Sequence, residues 1–195
     1  MMRSIGLVVI AAAGLLLAPA AQAIPFVAFL DGPSEDPPNA SPGTGEVELV
    51  LDTAGHTLRI SGTFGDLIGT TTAAHIHAPT AVPFAGTVGV AVVPPSLPSF
   101  PLGVTSGSFD VTLDTLDTST YAAAFLTAAG GTPLAAEALL LSSLLEGRAY
   151  FNIHTTAFGA GEIRGFLVPV PEPAAAGLLA LGVAGLLMAT RRARA

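Results

Sequence analysis

Residues Ala73-Ala74-His75-Ile76-His77 set two imidazoles two positions apart. On a β-strand, residues two apart project from the same face, so His75 and His77 stand together while Ile76 turns toward the core. The segment Tyr150-Phe151-Asn152-Ile153-His154-Thr155 has the same logic, with Phe151 and Ile153 on one face and Asn152 and His154 on the other. After a turn over 156–160, Glu162 and Arg164 fall on one face of a returning strand and Ile163 on the other. If that hairpin lies beside the His75 strand, three imidazoles converge on one polar surface with Asn152, Glu162 and Arg164. Three neutral imidazoles at about 2.0–2.1 Å from an ion, with a carboxylate orienting one ring from behind, suit zinc or copper. The candidate ligands are His75, His77 and His154; Glu162 is the orienting carboxylate, and Asn152 and Arg164 stand beside it. The competing expectation is a hydrated sheet face on which the histidines hydrogen-bond to neighbours and Glu162 and Arg164 form ordinary ion pairs. Spacing alone does not separate the two.

Other chemistry has less support. Cysteine is absent, and neither a Gly-x-Ser-x-Gly elbow nor a glycine-rich phosphate loop occurs. The adjacent acids Glu35 and Asp36 lie in a Pro-rich loop, where hydration is the expectation and nothing calls for a raised pKa. His56 follows the Asp52-Thr53-Ala54-Gly55 turn and reads as an exposed strand residue. No catalytic residue is assigned, so a non-enzymatic binding or structural module is the first expectation. A metal-binding protein with oxidoreductase-like activity is the alternative.

The elements that must position these residues are short alternating stretches separated by Gly, Pro, Asp and Ser clusters. Strands are expected at 25–30, 46–51, 56–64, 72–78, 87–93, 103–113, 148–155 and 161–168, with a hairpin across the Asp52–Gly55 turn. Such a pattern predicts an all-β fold, an antiparallel sandwich or barrel. Residues 119–129 and 133–145 are rich in Ala and Leu and predict one or two short helices within a long connection. The Pro-rich run 93–101 cannot donate a regular ladder and predicts a loop or an edge crossing.

Both ends of the 195-residue chain read as processing segments. Residues 1–23 carry one charge, Arg3, then an apolar run and Ala21-Gln22-Ala23, the pattern a signal peptidase accepts. At the other end, Val170-Pro171-Glu172-Pro173 precedes seventeen uncharged residues, 174–190, and the basic cluster Arg191, Arg192 and Arg194. As a helix that run reaches roughly 25 Å, near the lower limit for spanning a bilayer, and its basic flank would stay cytoplasmic. The expected organisation is a signal peptide at 1–23, one domain at 24–168 and a tail at 169–195. Between residues 24 and 173 three arginines face fourteen acids, a net charge of −11 with no lysine, which argues against nucleic-acid binding.

Four patches resemble the CHRD domain family: Phe29-Leu30-Asp31-Gly32-Pro33-Ser34-Glu35-Asp36-Pro37-Pro38, Ala73–His77, Tyr150–Thr155 and Gly161-Glu162-Ile163-Arg164-Gly165. The resemblance runs from about residue 26 to 167 and implies an immunoglobulin-like sandwich or barrel, with little said about activity. In this pattern Asp36 occupies a variable position, and Ala78 stands where a glycine often follows the histidine pair. The tail resembles the PEP-CTERM sorting signal through Pro171-Glu172-Pro173, the apolar run and the terminal arginines. That resemblance implies processing by an exosortase-type protease after export, transient anchoring in the inner membrane, and release to the cell surface or exterior. Exopolysaccharide and envelope proteins are the partners it implies.

Overall fold

The computed structural model describes residues 23–171. The apolar run of the expected signal segment, the helix expected at 174–190, and Glu172, Pro173, Arg191, Arg192 and Arg194 lie outside them. Among the described residues no helix is long and apolar enough to cross a membrane.

Nine strands form the fold: β1 (Ile24–Asp31), β2 (Thr44–Asp52), β3 (Thr57–Gly65), β4 (Thr71–His77), β5 (Val90–Val92), β6 (Gly107–Asp114), β7 (Tyr150–Thr155), β8 (Ile163–Phe166) and β9 (Val168–Pro169). They make one antiparallel sheet in the order β5-β4-β7-β8-β1-β2-β3-β6, with β9 also on β1. The sheet curls into a half-barrel, and the all-β expectation holds. The β2–β3 hairpin forms because Asp52 Oδ1 accepts from the backbone N–H groups of Ala54 and Gly55, both at 2.9 Å, fixing the turn. Its register then follows from period-2 alternation. Val47, Leu49, Leu51, Leu58 and Ile60 are fully buried, while Glu46 and Glu48 face water.

The core collects these side chains with Phe26, Leu30, Ile76, Phe151, Ile153 and Ile163. Each such side chain, fully buried, contributes roughly 1.5–3 kcal/mol by removal from water. Two helices, α1 (Ala123–Ala128) and α2 (Pro133–Leu145), lie between β6 and β7. In α2, Thr132 caps the N-terminus by accepting from Ala135 N–H, Pro133 opens the helix, and Ala136, Leu140 and Leu144 bury one face at a spacing of four.

Three expectations are corrected. The strand expected at 87–93 narrows to β5, and that at 103–113 begins only at Gly107. Gly103 adopts φ +76°, and the 103–104 backbone bonds to Thr71 at the start of β4 instead of extending the β6 ladder. Residues 119–129 are not one helix. The backbone at 120–122 bonds to the 91–93 backbone and Tyr121 bridges Val92, so only a short 3₁₀ turn at Thr118–Thr120 precedes α1.

Glu162, just before β8, fastens the sheet to its loops. Its fully buried carboxylate accepts from Ser41 Oγ (2.6 Å), Thr155 Oγ1 (2.6 Å), Ile68 N–H (2.5 Å) and Gly69 N–H (3.0 Å). Burial pushes its pKa up, but these four donors outweigh that and hold it below the usual carboxylate value. Glu162→Gln turns an amide N–H₂ toward donors, and we expect a loss on the order of 2–4 kcal/mol in urea unfolding. A change within 0.5 kcal/mol would show that the carboxylate is not fastening these loops.

Candidate metal-ligating site

Strands β4 and β7 pair with His75 opposite Asn152, His77 opposite Tyr150 and Ala73 opposite His154. Alternation sends Ile76, Phe151 and Ile153 into the core and carries His75, His77, Asn152 and His154 to the other face. That face is not open to water: His75 is 7% and His77 8% exposed, and Asn152 2%. Loops fold back over it and supply backbone carbonyls to the rings.

Each ring has one nitrogen committed to such a carbonyl. His75 Nε2 bonds to Pro95 O, His77 Nδ1 to Val88 O at 2.8 Å, and His154 Nδ1 to Gly159 O at 2.9 Å. A carbonyl oxygen only accepts, so these nitrogens carry the protons, and in a neutral ring the other nitrogen holds a lone pair. Burial is the first cause lowering the pKa of all three, and it takes His77 to about 4, so all three are neutral at pH 7. The free nitrogens, His75 Nδ1, His77 Nε2 and His154 Nε2, are buried without a partner. One nitrogen from each ring lies within 4.8 Å of the others, and the ring centroids are 5.0 to 6.1 Å apart. Tetrahedral bonds of 2.0–2.1 Å would separate the nitrogens by about 3.3 Å, so side-chain adjustment of an ångström or so completes such a site. His77 is held in place by stacking on Tyr150, 4.7 Å between centroids and 2° between planes.

The three histidines thus meet, and the expected companions separate by role. Asn152 lies beside the rings. Glu162 is spent on the loop fastening described above, and backbone carbonyls take the orienting position expected of it. Arg164, also buried, donates from Nε to Ser34 O and from a terminal nitrogen to Gly86 O at 3.2 Å, and its guanidinium lies 4.8 Å from the Tyr150 ring centroid. It ties covering loops to the sheet. At the tail, Val170 is exposed and donates its N–H to Pro25 O at 2.9 Å, and Pro171 follows it.

Two residues depart from their expected hydration. His56 is not a strand residue: it adopts φ 52° in the turn, and its Nδ1 bonds to the buried Glu137 carboxylate at 3.1 Å. Glu35 is only 6% exposed; Asn152 Nδ2 donates to its Oε1 at 3.2 Å, and Arg164 Nε lies 3.8 Å from its Oε2. Burial, only partly offset by Arg164, raises its pKa to about 7. Acids between prolines signal a loop, and nothing in that signal shows the loop packing onto the sheet. Gly161 makes room for this contact: at φ +136° its Cβ would overlap both Asn152 Nδ2 and the Glu35 carboxylate.

An antiparallel half-barrel carrying a cluster of three neutral imidazoles, His75 and His77 buried and His154 half-buried, is the class these observations define. Residues 26–167 match the family described as the CHRD domain, and the chain belongs to that family. No curated protein and no solved structure matched the chain.

Glu35 offers a test through pH. Its folded pKa lies above its unfolded value of 4.5, so its contribution to stability is fully present below pH 4.5 and is lost as pH rises to about 7. The metal-free Glu35→Gln variant should match the parent near pH 4.5 and exceed it above pH 7 by on the order of 3 kcal/mol. A difference that does not change between pH 4.5 and 8 would contradict the burial assigned to this carboxyl.

Proposed function

We propose that this CHRD protein binds a single copper or zinc ion through His75 Nδ1, His77 Nε2 and His154 Nε2. The observation that carries the proposal is the sign of the hydrogen-bonding groups. Among the described residues, the buried side-chain polar atoms without a partner are these three nitrogens and Asn152 Oδ1, and all four are acceptors. One water molecule has two protons to give and leaves two of the four unmet. A cation accepts electron density from all three imidazoles at once, and a donor set of three neutral imidazoles without thiolate or carboxylate fits zinc and copper. Backbone carbonyls hold the distal ring N–H groups, the arrangement that fixes tautomer and orientation in metal-bound imidazoles.

We infer that the chain is also exported. The apolar start ending in Ala21-Gln22-Ala23 supports signal-peptidase cleavage, and Pro171-Glu172-Pro173 with the apolar run and basic end supports exosortase-type sorting at the inner membrane. The domain then works at the envelope or surface, where its strong negative charge keeps it soluble and draws cations toward it.

The test is metal content of the full chain, purified without a histidine tag and equilibrated with Cu²⁺ or Zn²⁺ before desalting. One equivalent of one of these ions is expected, with affinity at least about 100-fold weaker in the His75→Ala, His77→Ala double variant. Negligible metal in the parent, or equal retention by parent and variant, would remove the proposal.

A further inference from the structure

Asn152 is the fourth unpartnered acceptor, and its orientation is fixed. Its Nδ2 donates to Glu35 Oε1 at 3.2 Å and lies 3.4 Å from Ala160 O. Ala160 O is an acceptor whatever the charge on Glu35, so the amide cannot be turned over without setting its oxygen against a carbonyl. Both contacts lie toward the β7–β8 connection, over Gly161. The oxygen therefore faces the other way, toward β4, where His75 is the direct cross-strand partner and His154 lies two residues along the same face. It is buried there with no donor to meet it.

Resting on the metal site proposed above, we infer that the ion keeps a fourth, exchangeable position occupied by a small ligand carrying an O–H group, which donates to Asn152 Oδ1. Closed structural sites use four protein ligands, whereas three protein ligands leave a place for water or substrate. The chain supplies three imidazoles. The amide's N–H₂ group is engaged on the side of the β7–β8 connection, and its oxygen is left for a donor that the fourth ligand would bring. Water, hydroxide and hydrogen peroxide satisfy both neighbours at once, giving an oxygen lone pair to the ion and a proton to Asn152. An acceptor-only anion such as azide meets the ion equally well but sets its lone pairs against the amide oxygen. The site is thereby selective for donor-bearing oxygen ligands, and Asn152 is its specificity-determining residue.

The experiment uses the Cu²⁺-loaded full chain and Asn152→Leu, a substitution of similar size that removes the acceptor and none of the three ligands. Azide is titrated and followed by its charge-transfer absorption. Both proteins should retain one equivalent of copper, and azide should bind the variant at least tenfold more tightly than the parent. No azide band in either protein would mean a closed site, and equal affinities would mean that Asn152 does not face the fourth position; both overturn the inference while leaving the metal site standing. Failure of the parent to hold copper would instead overturn the metal site itself. A second measurement on the parent alone covers a variant that does not fold. Electron-nuclear double resonance in H₂O and D₂O should show a strongly coupled exchangeable proton near the copper, and its absence overturns the inference.

Discussion

Buried imidazoles set the terms for this domain. Each of three rings donates an N–H to a backbone carbonyl and is thereby left with a buried lone pair that no donor meets. A buried polar group without a partner costs about 1–3 kcal/mol. Three such nitrogens and an amide oxygen together amount to a large share of the 5–15 kcal/mol that typically separates a folded domain from its unfolded chain. Such an arrangement is stable when something electron-poor sits among the four atoms, and the rest of the fold can be understood as the means of bringing them together.

That means is first the two-residue period of a strand. The same alternation that drives Ile76, Phe151 and Ile153 into the core puts His75, His77, Asn152 and His154 on the opposite face, and antiparallel pairing of β4 with β7 sets them side by side. The second requirement is a cover. The Pro-rich run after β5 follows the outer edge of β4: Leu97 donates to Ala74 O, Ser96 Oγ accepts from Ala74 N–H, and Pro95 O reaches His75. Prolines cannot donate to a ladder, so side-chain and isolated backbone bonds replace it and a carbonyl is left free for the imidazole. Arg164 and Glu162 hold other covering segments, one through Ser34 and Gly86, the other through Ser41 and the 68–69 backbone.

What was legible in the sequence follows from this division. The strands and the outward face of each histidine are consequences of local periodicity, so His75 and His77 could be paired from spacing, while the meeting with His154 depended on the pairing of β4 with β7. The long connection was visible for the same reason, since Ala and Leu without β-branching favour helix, and α2 spans Pro133–Leu145 as expected. The cover was not visible. Whether a polar face is wet or dry depends on where loops distant in sequence come to rest, and Glu35 beside Asn152 is a contact across more than a hundred residues. The same blindness explains Glu162: one face of a strand was identified, but not that three donors from distant loops and Thr155 of β7 would claim the carboxylate before any imidazole could.

The atoms surrounding the ion distinguish a three-histidine site from adventitious binding. X-ray absorption on the zinc- or copper-loaded chain measures this directly. Three nitrogen donors at about 2.0–2.1 Å with the outer-shell scattering of imidazole rings, and one further oxygen donor beside them, are predicted. A first shell made only of oxygen, with no imidazole signature, would place the metal elsewhere on this acidic surface and contradict the assignment of the three histidines.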